Sequence, residues 1–131
     1  VETLKKYIEE VNKDLQIDDF NLKQAQMKMP SRKHFWVARL MDAKINKNKL
    51  LARKKQHKKD LVTRIIAESP VKITTQTAES AAENTQDMDV INEKLKELDF
   101  IIEYLEKVEK IFSSMHWEIK NIVQINQMEQ L

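Results

Sequence analysis

Residues 89–125 read DVINEKLKELDFIIEYLEKVEKIFSSMHWEIKNIVQI, and the spacing of their apolar side chains decides the fold class. Ile91, Leu95, Leu98, Ile102, Leu105, Val108, Phe112, Met115, Ile119 and Ile122 recur every three or four residues, the period of one helix face. Ile101, Tyr104, Ile111, Val123 and Ile125 widen that stripe beyond what one antiparallel partner covers, so part of it is expected to face another subunit. The helix is expected to begin at Asp87 or Asp89, and Ser113-Ser114 is the expected place for a break within it.

Working back toward the N-terminus, Val71–Met88 is rich in Thr, Ser, Gln, Ala and acid and reads as a linker or mobile loop, with Val71–Thr75 as a candidate short strand. Glu68-Ser69-Pro70 stops a preceding long helix, which nothing interrupts from Arg32 to about Ala67. Its ends are amphipathic, through Phe35, Val37, Leu40 and Met41 at the front and Leu61, Val62, Ile65 and Ile66 at the back. Pro30 is expected to end or bend the segment before it, and Ser31 to cap the long helix. Leu4, Tyr7, Ile8 and Val11 predict a short amphipathic helix over Glu2–Lys13. Ile17-Asp18-Asp19-Phe20 supplies acidic N-cap candidates before Leu22, Ala25 and Met29.

Composition points the same way. A chain of 131 residues with 34% charged side chains, two prolines and no glycine lacks the turn residues that hairpins and barrels need. The expected architecture is all-α: a long-helix hairpin with short N-terminal helices, forming one domain over residues 1–131. Within it, residues 1–67 hold the N-terminal helices, 68–88 the linker and 89–131 the oligomerisation helices, with the Arg32–Ala67 helix packed back on the one from about Asp89.

The same composition excludes several functions. Without glycine there is no phosphate-cradling loop of the Walker or dinucleotide type. Without cysteine there is no disulfide, thiolate metal site or thiol nucleophile. His34, His57 and His116 lack zinc-site spacing, so neither a metal nor a cofactor is expected. No nucleophile, base and orienting group can be assembled, which argues against an enzyme. No apolar run approaches the roughly 20 residues of a membrane span, and Val1-Glu2-Thr3 begins no signal segment, so a soluble intracellular protein is expected.

Net charge is only +2, yet residues 1–30 carry −1, residues 31–70 carry +9 and residues 71–131 carry −6. Between Ala43 and Lys59 stand Lys44, Lys47, Lys49, Arg53, Lys54, Lys55, Lys58 and Lys59 without one acidic residue. Solvated helix faces usually interleave Glu with Lys at i,i+4, whereas Lys49/Arg53, Lys54/Lys58 and Lys55/Lys59 are like-charged, each pair costing about 0.2–0.5 kcal/mol. An external polyanion would offset that cost, and nucleic acid is the commonest inside cells. Arg53, Lys54, Lys55, Lys58, Lys59 and Arg64 are the leading phosphate-binding candidates, with Lys44, Lys47 and Trp36 behind them. Arg32-Lys33-His34-Phe35-Trp36 places rings beside cations, the pairing that stacks bases of single strands, although core anchoring is the other reading of Phe35 and Trp36 and the favoured one for Trp36. No recognition-helix pair is visible, so single strands are favoured over duplex.

Ile17-Asp18 followed by Leu22, then Trp36, then Ala52-Arg53-Lys54-Lys55 leading to Lys59, and finally Ser114, Trp117 and Ile119-Lys120 with Ile122 form an ordered series. In that order and spacing, over most of the chain outside 68–88, the sequence resembles the UvsY-type recombination mediators of T-even-like bacteriophages. The resemblance implies a non-catalytic accessory protein that binds single-stranded DNA and helps a RecA-like recombinase displace the single-strand binding protein, in the cytoplasm of the infected host cell. It also implies contacts to both of those proteins and a ring-like homo-oligomer built through the C-terminal helical region. The family's basic box maps onto Lys54, Lys55 and Lys59, and by charge extends to Arg53, Lys58 and Arg64. Two positions depart from the pattern: Leu61 stands where the box carries an arginine, and His116 where glycine can precede the aromatic. Leu105, Val108, Ile111, Phe112, Trp117, Ile119, Ile122 and Val123 are candidates for the oligomer seam, each able to serve the intrachain core instead. Two rivals remain: a helical adaptor or assembly chaperone whose basic helix pairs with acidic protein surface, and an RNA-binding or duplex-DNA architectural protein.

Overall fold

In the computed structural model, which describes residues 2–17 and 21–130, the chain forms four helices: α1 (Glu2–Asp14), α2 (Leu22–Glu68), α3 (Thr75–Glu83) and α4 (Gln86–Glu129). No strand occurs among the described residues, and Thr75 already belongs to α3, so the short strand expected at Val71–Thr75 does not form. The acidic N-cap candidates Asp18 and Asp19 lie outside the described residues. The fold class is therefore all-α, as the periodicity predicted.

The chain divides into two compact units, one made of Val1–Asp42 with Phe100–Leu131 and the other of Ala43–Asp99. In the first, α1 buries Val11, α2 buries Met29, Trp36 and Leu40, and α4 buries Ile101, Leu105, Val108, Phe112 and Ile119. Burying a side chain of this size is worth about 1.5–3 kcal/mol, so this apolar core is a principal source of the unit's stability.

Pro30 does not stop α2, which starts eight residues before it and runs 47 residues in all. Proline removes one backbone donor and crowds the carbonyl four residues back. Here its ring is exposed, while Met29, Trp36 and Leu40 hold the helix to the core on both sides of it, so packing outweighs the local break. Ser31 is consequently inside the helix rather than at its cap, and its hydroxyl donates to the Lys28 carbonyl at 3.0 Å. The break expected at Ser113-Ser114 is absent for the same reason. Buried Phe112 and Ile119 flank it, and α4 is continuous.

The second unit holds the other correction. The region read as a linker contains α3, whose polar composition hides a packing face made of Ala78 and Ala82, both fully buried. Two small side chains one turn apart let this helix approach closely, and Ala82 packs in a cluster with Leu61 of α2 and Met88 of α4. Val62, Ile65 and Ile91 surround that cluster. Threonines cap both helices. Thr74, in extended backbone, accepts from the Thr77 N–H at 3.1 Å, and the Thr85 hydroxyl accepts from the Met88 N–H at 3.4 Å while Asp87 and Asp89 occupy the first turn of α4. No described residue has a positive φ.

Candidate nucleic-acid interface

Lys and Arg are good helix formers, so the basic stretch of α2 stays helical although its middle has little to bury. The ladder is carried through by Ala43 at one end and Leu61 at the other, both buried. Between them the helix sorts its cations into two groups.

One group faces carboxylates of the same unit. Lys47 Nζ lies 2.6 Å from Asp99, and Lys54 and Lys58 reach the two oxygens of Glu83 at 3.6 and 3.2 Å. The hydrogen bond from Lys58, reinforced by the charges of Lys54 and Lys58, holds the Glu83 carboxyl below the ordinary glutamate value. His57 Nε2 is buried without a hydrogen bond, 3.5 Å from the Asp87 carboxylate, a distance that becomes an ion pair only on a protonated ring. Lys44 is half-buried.

The second group is Lys49, Arg53, Lys55, Lys59 and Arg64, all exposed, and no carboxylate of the described residues pairs with them. Asp60, the one acid among residues 43–67, accepts from Gln56 Nε2 at 3.0 Å. Lys55 and Lys59, one turn apart, line a groove of about 490 Å³ with Lys58, Val62, Thr63, Thr75 and Glu79. What remains is an open set of cations, Lys49, Arg53 and Arg64 on one side of the helix and Lys55 and Lys59 on another by helical spacing, that can meet several phosphates but cannot enclose a small molecule. Among the described residues there is no group of side chains suited to hold a metal, and no helix is long and apolar enough to cross a membrane.

Trp36, a candidate for base stacking, is only 1% exposed and presents no face to a ligand. Its ring N–H donates to Asp14 Oδ2 at 2.8 Å, and the same oxygen accepts from Arg32 Nε at 2.8 Å. Tyr7 and Phe35 meet the indole edge-on, with centroids 5.8 and 5.2 Å away, and the Arg39 guanidinium lies 4.3–5.0 Å from the Phe35, Tyr7 and Trp36 rings while bonding Glu10 at 2.7 Å. The aromatic-cation pattern at 32–36 thus docks α1 on α2. The seam candidates divide likewise: Leu105, Val108, Phe112 and Ile119 belong to the core of this chain, whereas Ile111, Trp117 and Ile122 are exposed and Val123 is half-buried.

Sequence reasoning did not single out Lys49 as a leading candidate, nor Glu83, Asp87 and Asp99 as partners of the belt. The i,i+4 spacing of Glu79 and Glu83 was the available signal for an acidic face on a short helix.

No protein-family model and no curated protein sequence matches the chain. Two crystal structures of the bacteriophage T4 recombination mediator protein UvsY do match it. One superposes with a TM-score of 0.81 at 17% identity, covering 96% of this chain and 98% of UvsY, and a second crystal form with 0.79 at 17% identity, covering 98% of each. The chain has the UvsY fold along nearly its whole length.

Proposed function

We propose that this protein is a non-catalytic recombination mediator, which holds single-stranded DNA on the exposed cations of α2 and helps a RecA-like recombinase replace the single-strand binding protein. The observation that carries the reading is the set Lys49, Arg53, Lys55, Lys59 and Arg64, exposed and held by no carboxylate of the described residues, on a chain with the UvsY fold. Like charges at i,i+4 cost a helix a few tenths of a kcal/mol per pair, and phosphates offset that while releasing condensed counterions. Lys54 and Lys58 are further contacts and Lys44 and Lys47 secondary ones. Ile111, Trp117, Ile122 and Val123 of α4 are the seam through which copies assemble, so several weak patches act on one strand at high effective concentration. The protein acts in the cytoplasm of an infected cell.

The test is anisotropy of labelled oligo-dT over a salt series. Replacing Lys55 and Lys59 by Ala is expected to weaken binding and to flatten the log-log salt slope by about 1.4 per protomer, at about 0.7 per phosphate on a single strand. Equal indifference of both chains to oligo-dT would sink the reading. A second reading, the helical adaptor, draws on the carboxylates that already hold Lys47, Lys54 and Lys58. It predicts salt-sensitive self-association without DNA affinity.

A further inference from the structure

Glu83 sits where a phosphate would. Its two oxygens bridge Lys54 and Lys58, side chains one turn apart, at 3.6 and 3.2 Å. The carboxylate is delivered by a positioned element: α3 is pinned by buried Ala78 and Ala82 and by the Thr74 cap. Lys58 also lines the groove that Lys55 and Lys59 flank, so a strand arriving on those two exposed lysines has Lys58 as its next cation. The obstacle at that point is the Glu83 carboxylate.

We propose that Glu83 is a built-in competitor for nucleic-acid phosphate at Lys54 and Lys58, holding both lysines until a strand displaces its carboxylate. The proposal rests on reading α2 as a single-strand-binding helix. Exchange is feasible because these ion pairs lie at the surface, where such pairs are worth about 0–1 kcal/mol each, and because moving two lysine heads leaves the buried face of α3 undisturbed. Asp14 is the contrast: its carboxylate is fastened by Arg32 and by a buried indole. The effect of Glu83 is to temper affinity, which suits a protein that must hand its strand on.

The experiment is a double-mutant cycle on oligo-dT binding with the full chain, using Glu83→Gln, Lys54→Ala/Lys58→Ala and their combination. Glu83→Gln is expected to bind roughly three- to tenfold tighter, the sum of two exposed pairs, and to lose that gain in the Lys54→Ala/Lys58→Ala background. A gain of equal size in both backgrounds is a general charge effect and overturns the proposal, as does no gain at all while the native chain binds. If neither the native chain nor Glu83→Gln binds oligo-dT, the single-strand reading fails and the competitor with it. Should Glu83→Gln lose helicity, carbon NMR of the Glu83 carboxyl in the native chain decides: a signal that moves on adding oligo-dT supports the exchange, and one that stays fixed overturns it.

Discussion

Asp14 uses a single oxygen to receive the Trp36 indole N–H and the Arg32 guanidinium, and that oxygen ties α1 to α2. A buried indole N–H left without a partner is costly, which explains why a tryptophan at this position needs a carboxylate near it. Trp36→Phe keeps an aromatic ring, removes the donor and leaves a cavity where the larger indole was buried. It is expected to destabilise the chain by about 1–3 kcal/mol in urea denaturation while leaving oligo-dT affinity unchanged. Loss of DNA binding without loss of stability would return the indole to the interface. The pattern of rings beside cations at residues 32–36 is the same whether a ring stacks on a base or a guanidinium stacks on a ring. Only the spatial position of Glu10 and Asp14, supplied by α1, separates the two.

At the scale of elements, α3 is held to α2 by small apolar side chains and by the charge of Glu83. Because lysine contacts keep the Glu83 carboxyl below its ordinary value, its contribution is present above the unfolded glutamate range and is lost as pH falls through the lowered folded value. The protection of the amides of residues 75–83, taken relative to their intrinsic exchange rates, is therefore expected to fall as pH drops below the ordinary glutamate range, and the native chain should lose more of it there than Glu83→Gln does. Identical acid profiles would assign α3 to its alanines alone. Those alanines also account for the helix passing as a linker: Ala78 and Ala82 carry little hydrophobic signal, and the threonines around them cap helices as readily as they populate loops. α1 and the stripe of α4 were legible because large side chains recur at a regular period. Pro30 misled because a local rule about one missing donor says nothing of Met29, Trp36 and Leu40, which pack across it. The basic belt was legible as charge. Its division into held and open lysines was not, because the carboxylates that divide it arrive from α3 and α4.

For the whole molecule, apolar surface remains after folding. Ile111, Trp117, Ile122, Ile125 and Met128 stay exposed on α4, with Trp117 at 61%. Ile122→Glu with Ile125→Glu is expected to lower the mass measured by sedimentation while helicity persists, since neither side chain is buried in the protomer. An unchanged mass would mean that Ile122 and Ile125 do not hold copies of the chain together. The same variant should bind long oligo-dT more weakly than the native chain and short oligo-dT nearly as well, because only a long strand can engage several patches. Finally, the connections on either side of α3 are made without glycine and without any residue in left-handed backbone. Where no bend in the path demands one particular amino acid, few positions are locked to an identity by conformation alone. Such a chain can wander far through sequence space and still trace the same course, and 17% identity beside a TM-score of 0.81 is what that freedom looks like.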